Sequence, residues 1–395
     1  MRILVVAFGF PSKAHSYSGV FVLRQVQALR ELGHEVRVLR IVSFVPPIRP
    51  WRVVGSLPHR YAYEGVDVHV ARVLAPPRMG ALPLVRAQAG LALRRHLAEF
   101  RPDVIHAHTL IRPGYVSVKR SVPTIVTSHG YDAYRLPLRS PGLRAAARWV
   151  VREADVVVGV SGFIRDHLVA LGRRDARVVL NGADPAVFGV RDRCADRGAL
   201  GIESERFVVA FVGGLLQAKG VHDLIPALGG IRELRPLALF GGFGPEESVM
   251  RRTLADAGVE ARFLGMVPHE QVARIFGAAD VVALPSHAEG LPTVLCEAML
   301  AGRAVVATSV GGIPEIVRDG VTGRLVPAGD VAALSASLRL LAAQPETRRA
   351  YEREAATFAQ RCLTWRTNAS AYEELYREAI EGTKPSVDAG DGTDR

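Results

Sequence analysis

Two glutamates eight residues apart, Glu289 and Glu297, bracket Gly290, Leu291, Pro292 and Thr293 in the stretch HAEGLPTVLCEAML (287–300). Pro292 has no N–H and Gly290 precedes it, so the two carboxylates do not share one continuous helix. The spacing predicts a loop over 289–292 and a helix starting near Pro292 or Thr293, where proline is favoured. The free amides and positive dipole end of such a helix attract an anion. Glu297 then lies about one turn inside and Glu289 in front. A carboxylate accepts two hydrogen bonds from a vicinal diol. The set therefore suits a nucleotide sugar, with ribose on one side, diphosphate in the middle and hexose on the other. A capping glutamate beside a solvated one is the plainer reading. A glycosidase carboxylate pair is the competing chemistry, but a hydrolase has no use for a phosphate-friendly helix end between its carboxylates.

Three other stretches carry candidate chemistry. FVGGLLQAKG (211–220) runs from a strand through Gly213 and Gly214 to Lys219, an arrangement suited to a phosphate or to a tight turn with a surface lysine. It lacks P-loop spacing. GGFGPEE (241–247) has a Gly-x-Gly turn without the full dinucleotide fingerprint, so a plain turn is the simpler reading. TIVTSHGYDAY (124–134) places His129 just after an apolar strand, as a hydrogen-bonding partner for a sugar hydroxyl or as a structural histidine. His106 and His108 fall on one side of a strand with no third metal ligand near them in sequence, and no Asp-x-Asp stands at a strand end. No metal site is expected.

Short β-branched runs alternate with helical stretches throughout. In the first half they lie at 2–8, 35–41, 66–72, 103–108, 124–128, 155–160 and 177–180. Several are apolar nearly throughout, as expected of parallel strands covered on both faces. Between the first two, Val22, Val26, Leu29 and Leu32 follow helical spacing and Gly33 ends the helix, completing a β-α-β unit. The pattern restarts at 206–214 and continues at 237–242, 261–267, 280–286, 304–310 and 323–330. These strands predict an α/β chain of two doubly wound, Rossmann-like domains, residues 1–185 and 186–360. A C-terminal helix over 361–382 and a disordered tail over 383–395 follow.

Composition narrows the setting. The 395 residues suit two domains. No apolar run reaches the roughly 18 residues that cross a bilayer. The N-terminus reads as a strand rather than a leader. Three cysteines, Cys194, Cys296 and Cys362, allow no disulfide framework, which points to the cytoplasm. The net charge of +11 divides unevenly: residues 1–185 hold 27 Lys+Arg against 12 Asp+Glu, or +15, and the rest 23 against 27, or −4. The basic half suits an anionic surface such as membrane lipid, or is an arginine-rich bias; no nucleic-acid cluster appears. Only four of the 50 cations are lysines, which singles out Lys219.

The stretch 285–330 closely resembles the signature region of family 4 retaining glycosyltransferases, with Glu289 and Glu297 in its Glu-x7-Glu motif. SHGYD, VSGFIRDHLVALG, NGADPAVF and FLGMVPHEQVARIFGAADVVALPS extend the resemblance over most of residues 1–380. It implies the GT-B fold, two Rossmann-like domains facing a cleft, with acceptor bound by the first and donor by the second. Glu297 would hold the ribose hydroxyls. Glu289 would hold the transferred sugar, and Lys219 would neutralise the leaving diphosphate. Gly290, Leu291, Pro292 and Thr293 would form the turn over sugar and phosphate, His129 would bond the donor sugar, Gly19 would permit a close backbone approach, and Met266 would lie by the base. The helix around Trp365 would return to the first domain. The family's usual arginine five residues before the lysine is here Gly214, which leaves one diphosphate cation unaccounted for; Gln217 or an arginine of the first domain could replace it.

The implied activity is retaining, metal-independent transfer of a hexose from a UDP- or GDP-sugar to a hydroxyl acceptor. That acceptor would be a lipid-linked or polysaccharide precursor of the cell surface. The enzyme would be cytoplasmic, either free or peripheral on the inner face of the plasma membrane. A UDP-sugar 2-epimerase of the same fold and a non-catalytic nucleotide-sugar-binding protein are the alternatives.

Overall fold

The structure, a computed structural model, describes residues 1–13, 15–44, 57–74 and 82–382. The tail expected to be disordered, 383–395, lies outside them. The described residues form two compact units, one drawn from 1–158, 167–177 and 369–382, the other from 159–166 and 178–368.

The first unit is built on an eight-stranded sheet. Its strands are β1 (Arg2–Ala7), β2 (Glu35–Phe44), β3 (Arg60–Tyr63), β4 (Val66–Leu74), β5 (Val104–His108), β6 (Thr124–Ser128), β7 (Val156–Gly159) and β8 (Arg177–Val178), in the order β3-β4-β2-β1-β5-β6-β7-β8. The pairs β4–β2, β2–β1, β1–β5 and β5–β6 are parallel, and only β3 is shown running antiparallel, against β4. Sequence pattern alone missed β3, because RYAY is an alternating, half-exposed edge rather than an apolar run. Ile3 to Ala7 are wholly buried, as the apolar reading of this strand requires. The helix Val20–Glu31 turns Val22, Val26 and Leu29 inward, and Gly33 follows it at φ +87°.

The second unit carries a six-stranded sheet: β9 (Val208–Val212), β10 (Leu237–Gly241), β11 (Glu260–Phe263), β12 (Val281–Leu284), β13 (Ala304–Thr308) and β14 (Gly323–Val326). Its order is β11-β10-β9-β12-β13-β14 with every pair parallel. The order reverses between β9 and β12, and the crevice beyond the carboxyl ends of strands at such a point is where ligands bind in open α/β sheets.

This second unit begins upstream of residue 186. Glu315 accepts bonds from the amides of Gly162 (2.7 Å) and Phe163 (3.0 Å), holding the start of the helix Gly162–Ala170 within it. Ala183 pairs with Leu363 through its amide (2.9 Å), and Asn368 donates to the Leu180 carbonyl (2.7 Å). The chain closes with helices Val331–Ala343, Pro345–Cys362 and Trp365–Gly382. Residues from Ala369 on count with the first unit. Tyr376 there meets His106 Nδ1 at 2.8 Å and Tyr372 meets Thr127 at 2.7 Å, while Thr127 also bonds His106 Nε2 at 2.8 Å. A buried tyrosine hydroxyl needs such a partner.

Candidate functional site

The polar side chains best placed for chemistry in the second unit stand at the ends of β9 and β12. Glycines build the scaffold. Gly213 donates to the Gly241 carbonyl at 2.9 Å. A Cβ on Gly242, at φ +135°, would lie 1.9 Å from the Gly213 oxygen, and one on Gly244 2.2 Å from that of Leu215. Gly242 and Gly244 of GGFGPEE are therefore demanded by backbone lying on backbone, as in a packed turn, whereas a Cβ on Gly241 would meet the side chains of Ile275 and Val212. Gly220, at φ +71°, ends the short 3-10 turn Gln217–Lys219, and a Cβ there would sit 1.8 Å from the Pro285 oxygen. The His287 amide donates to the Ala218 carbonyl at 2.9 Å. These contacts fasten the lysine turn to the loop after β12.

That fastening brings together two residues 70 apart in sequence. Lys219 Nζ lies 2.6 Å from Glu289 Oε1, and Ser286 Oγ donates to the same oxygen at 2.8 Å. The Glu289 carboxylate is buried and the lysine half-buried. Burial of a carboxylate is tolerable here because both a cation and a hydroxyl serve it. Two histidine–acid pairs flank the turn, His287 with Asp223 at 2.9 Å and His222 with Glu246 at 2.7 Å.

The loop's carbonyls are turned into the protein. The Gly290 oxygen accepts from the Gly312 amide (3.0 Å) and from Ser161 Oγ (3.0 Å), and Asn181 reaches the Leu291 oxygen at 3.4 Å. Gly311, at φ +55°, lies so close beneath that a Cβ would be 1.9 Å from the Glu289 oxygen. Among the described residues, none accepts from the amides of Gly290, Leu291, Thr293 or Val294. The helix Thr293–Leu300 opens here, within the expected start at Pro292 or Thr293, with Pro292 as its N-cap rather than its first helical residue. Glu297, half-buried, follows one turn in. The lysine turn and this loop together present a cation, a buried carboxylate, free helix-start amides and a second carboxylate, a combination suited to an anion with hydroxyl groups on either side.

The remaining candidates are placed as follows. Gly214 has an ordinary backbone, and a Cβ on it would meet only the flexible tip of Leu216 at 3.2 Å. Gln217 is exposed at the start of the lysine turn. Met266 lies in a loop beyond β11, not in a strand, and is 56% exposed. Gly19 caps the first helix at φ +71°, and a Cβ would collide with the Gly9 oxygen at 2.3 Å. Its glycine therefore has a structural cause within the first unit.

His129 also belongs to the first unit. Its Nε2 lies 3.0 Å from His108 Nδ1, the two rings stack at 5.2 Å, and Phe21 packs at 4.4 Å. Burial pushes His129 and His106 down to about 3 and His108 well below its usual range, so all three are neutral at ordinary pH. Among the described residues, no group of three or more His, Cys, Asp or Glu is arranged to hold a metal ion. Sequence reasoning missed Ser286, Ser161, Asn181 and Gly311; only Ser286, three residues before Glu289, carried a local signal.

Residues 192–358 match the family model described as glycosyl transferases group 1, and residues 18–187 match glycosyltransferase family 4. The chain is 30% identical over 416 residues to the glycogen synthase of Mycobacterium tuberculosis, covering 97% of this chain and 96% of that one. It is also 30% identical to a Bacillus subtilis protein, TuaC, provisionally named a teichuronic acid biosynthesis glycosyltransferase, over 80% of this chain and 83% of that one. Among solved structures, Anabaena HepE in complex with UDP-glucose superposes with a TM-score of 0.73 at 23% identity, covering 96% of this chain and 100% of that chain.

The chain belongs to glycosyltransferase family 4. It is a glycosyltransferase of GT-B type, a class acting on sugar nucleotides.

Proposed function

We propose that this enzyme transfers a hexose from a UDP- or GDP-sugar to a hydroxyl acceptor, with retention and without a metal ion. The observation that carries the reading is the Lys219–Glu289 pair, 2.6 Å apart, in front of a helix start whose amides are free among the described residues. A diphosphate takes the place of the carboxylate as the partner of Lys219 and fills the amides. Glu289, relieved of the lysine, is then available to the sugar hydroxyls and to the charge that develops at the anomeric carbon. Glu297 takes the ribose diol. The bond from the anomeric carbon to the diphosphate oxygen breaks while the acceptor oxygen bonds to the same face. The acceptor's proton passes to the departing diphosphate oxygen. His129 as a partner of the sugar and Met266 beside the base are carried over from the family resemblance.

The names of TuaC and HepE support a cell-surface polymer precursor as acceptor and UDP as the nucleotide. The basic first 185 residues support attachment to an anionic membrane face. Sedimentation with anionic vesicles at low and high salt tests the attachment; absence of salt-sensitive binding refutes it. The test of the reaction is incubation with UDP- and GDP-sugars, with and without acceptor. Sugar transferred only when acceptor is present supports the reading. Epimerised sugar nucleotide without acceptor would make the chain a 2-epimerase. Donor binding with neither transfer nor slow hydrolysis would make it a binding protein.

A further inference from the structure

The first unit contains a cleft of about 270 Å³ behind the end of β1, walled by Phe8, Phe21, Ile111, Leu136 and Tyr131, with Arg112 in its lining. Phe8 and Tyr131 stand 44% and 49% exposed, large apolar surface to leave open to water. The volume is below the roughly 300–1,000 Å³ of pockets that enclose a whole drug-sized ligand. It suits part of a larger molecule.

Arg112 is the unusual member of this lining. Its guanidinium lies 4.8 Å over the Phe8 ring and donates to Ser43 Oγ at 2.9 Å. Among the described residues, no carboxylate pairs with it. The acid in the same lining, Asp132, is already engaged: Oδ2 accepts from the Leu110 amide at 2.7 Å, and Oδ1 from Ser128 at 2.9 Å and the His129 amide at 3.2 Å. His108 and His129 are neutral and bonded to each other. Burial lowers Arg112 from the usual guanidinium range with nothing acidic to raise it again. A half-buried cation without an anion is costly unless a ligand supplies one.

The backbone agrees. Arg112 sits at φ +69°, ψ −81°, the strained γ-turn region, and the residue after it is Pro113, which has no N–H to close that turn. Thr109, three residues earlier, is at φ +83°. Two non-glycine residues in left-handed backbone within four positions is a cost that the fold sustains at the wall of one cleft, and such strain collects at ligand sites.

We propose that this cleft is a subsite for an anionic group joined to an apolar body, Arg112 taking the anion and Phe8, Phe21 and Leu136 the apolar part. That the molecule is the sugar acceptor rests on the transferase reading above; the binding does not. The shared chemistry is a phosphate or a carboxylate on an alkyl or prenyl chain. Calorimetric titration of the full chain with octyl phosphate and octanoate, both below their micelle concentrations, separates the two anions. Inorganic phosphate and uncharged octyl glucoside are the controls.

At least one anionic amphiphile should bind at least about ten-fold tighter than either control, and Arg112→Gln should weaken it at least about ten-fold. Arg112→Gly, free of the left-handed strain, should match or exceed the wild-type Tm and still lose the ligand, which separates binding from folding. UDP affinity should be unchanged in both variants. Saturable binding of neither amphiphile, or Arg112→Gln within about two-fold of wild type, overturns the proposal. Binding of neither UDP nor GDP by the wild type would instead overturn the transferase reading and leave this site standing.

Discussion

The two units hold their cations in opposite ways. In the second, Lys219 is neutralised by a buried glutamate 2.6 Å away, and the turn that carries it is locked by glycines whose missing Cβ atoms leave room for neighbouring carbonyls. In the first, Arg112 has an aromatic ring and a hydroxyl for company, and a strained backbone holds it at a cleft. A site whose ligand is an anion can be kept folded while empty by lending its cation an internal carboxylate. The same can be done by keeping the cation on an apolar wall and accepting the cost. The first arrangement requires an exchange of partners on binding; the second requires none.

The largest expected effect tests the exchange. Glu289→Ala should lower kcat/KM for sugar transfer by about 10²–10³-fold, the range for removing one group that stabilises developing charge. Steady-state kinetics on the natural donor measures it, and a change under about three-fold would show that the carboxylate serves folding alone.

Next comes the locking of the turn. Gly220→Ala places a Cβ 1.8 Å from the Pro285 oxygen at φ +71° and should cost more than about 3 kcal/mol in urea unfolding. Gly33→Ala in the first unit, at φ +87° with nothing within 4 Å, should cost only about 1 kcal/mol. Equal costs would mean that the close approach at Pro285 does not govern.

Acid should distinguish the units as well. His106 and His129 of the first unit titrate near 3 when folded against an ordinary 6.5, both through burial. As pH falls below 6.5 the unfolded chain takes up these protons and the native chain does not, so their stability is fully present above 6.5 and is lost progressively toward 3. Melting followed from pH 8 to 4 should show a Tm that falls below pH of about 6.5, and His106→Gln should flatten that fall. An unchanged acid limb in that variant would contradict the assignment.

The smallest effect concerns Gly214. With only a flexible leucine tip near its Cβ, Gly214→Arg should leave donor affinity unchanged or tighten it by up to about ten-fold. A marked loss would show that the loop uses the space otherwise.

Legibility in the sequence followed the same division. Apart from β3, the strands of both sheets were visible, most of them because parallel strands covered on both faces are apolar nearly throughout. Glu289 and Glu297 were visible because a proline between them divides loop from helix. The pairing of Lys219 with Glu289 was not, because it spans 70 positions and depends on Gly220 lying on Pro285. The support under the loop from Gly311 and Ser161 was hidden for the same reason. LIRPG (110–114) went unread, because nothing local says that Arg112, rather than Gly114, takes the left-handed backbone. The edge strand β3 escaped because half-exposed alternation over four residues is a weak signal.

Donor binding turns on Lys219 giving up its carboxylate to a diphosphate, and calorimetry reads that event directly. Wild-type enzyme should bind one of the UDP- or GDP-sugars, and Lys219→Met should weaken that donor at least about ten-fold while Tm stays within a few degrees. Undiminished affinity in Lys219→Met, or no binding of any such donor by the wild type, would contradict it.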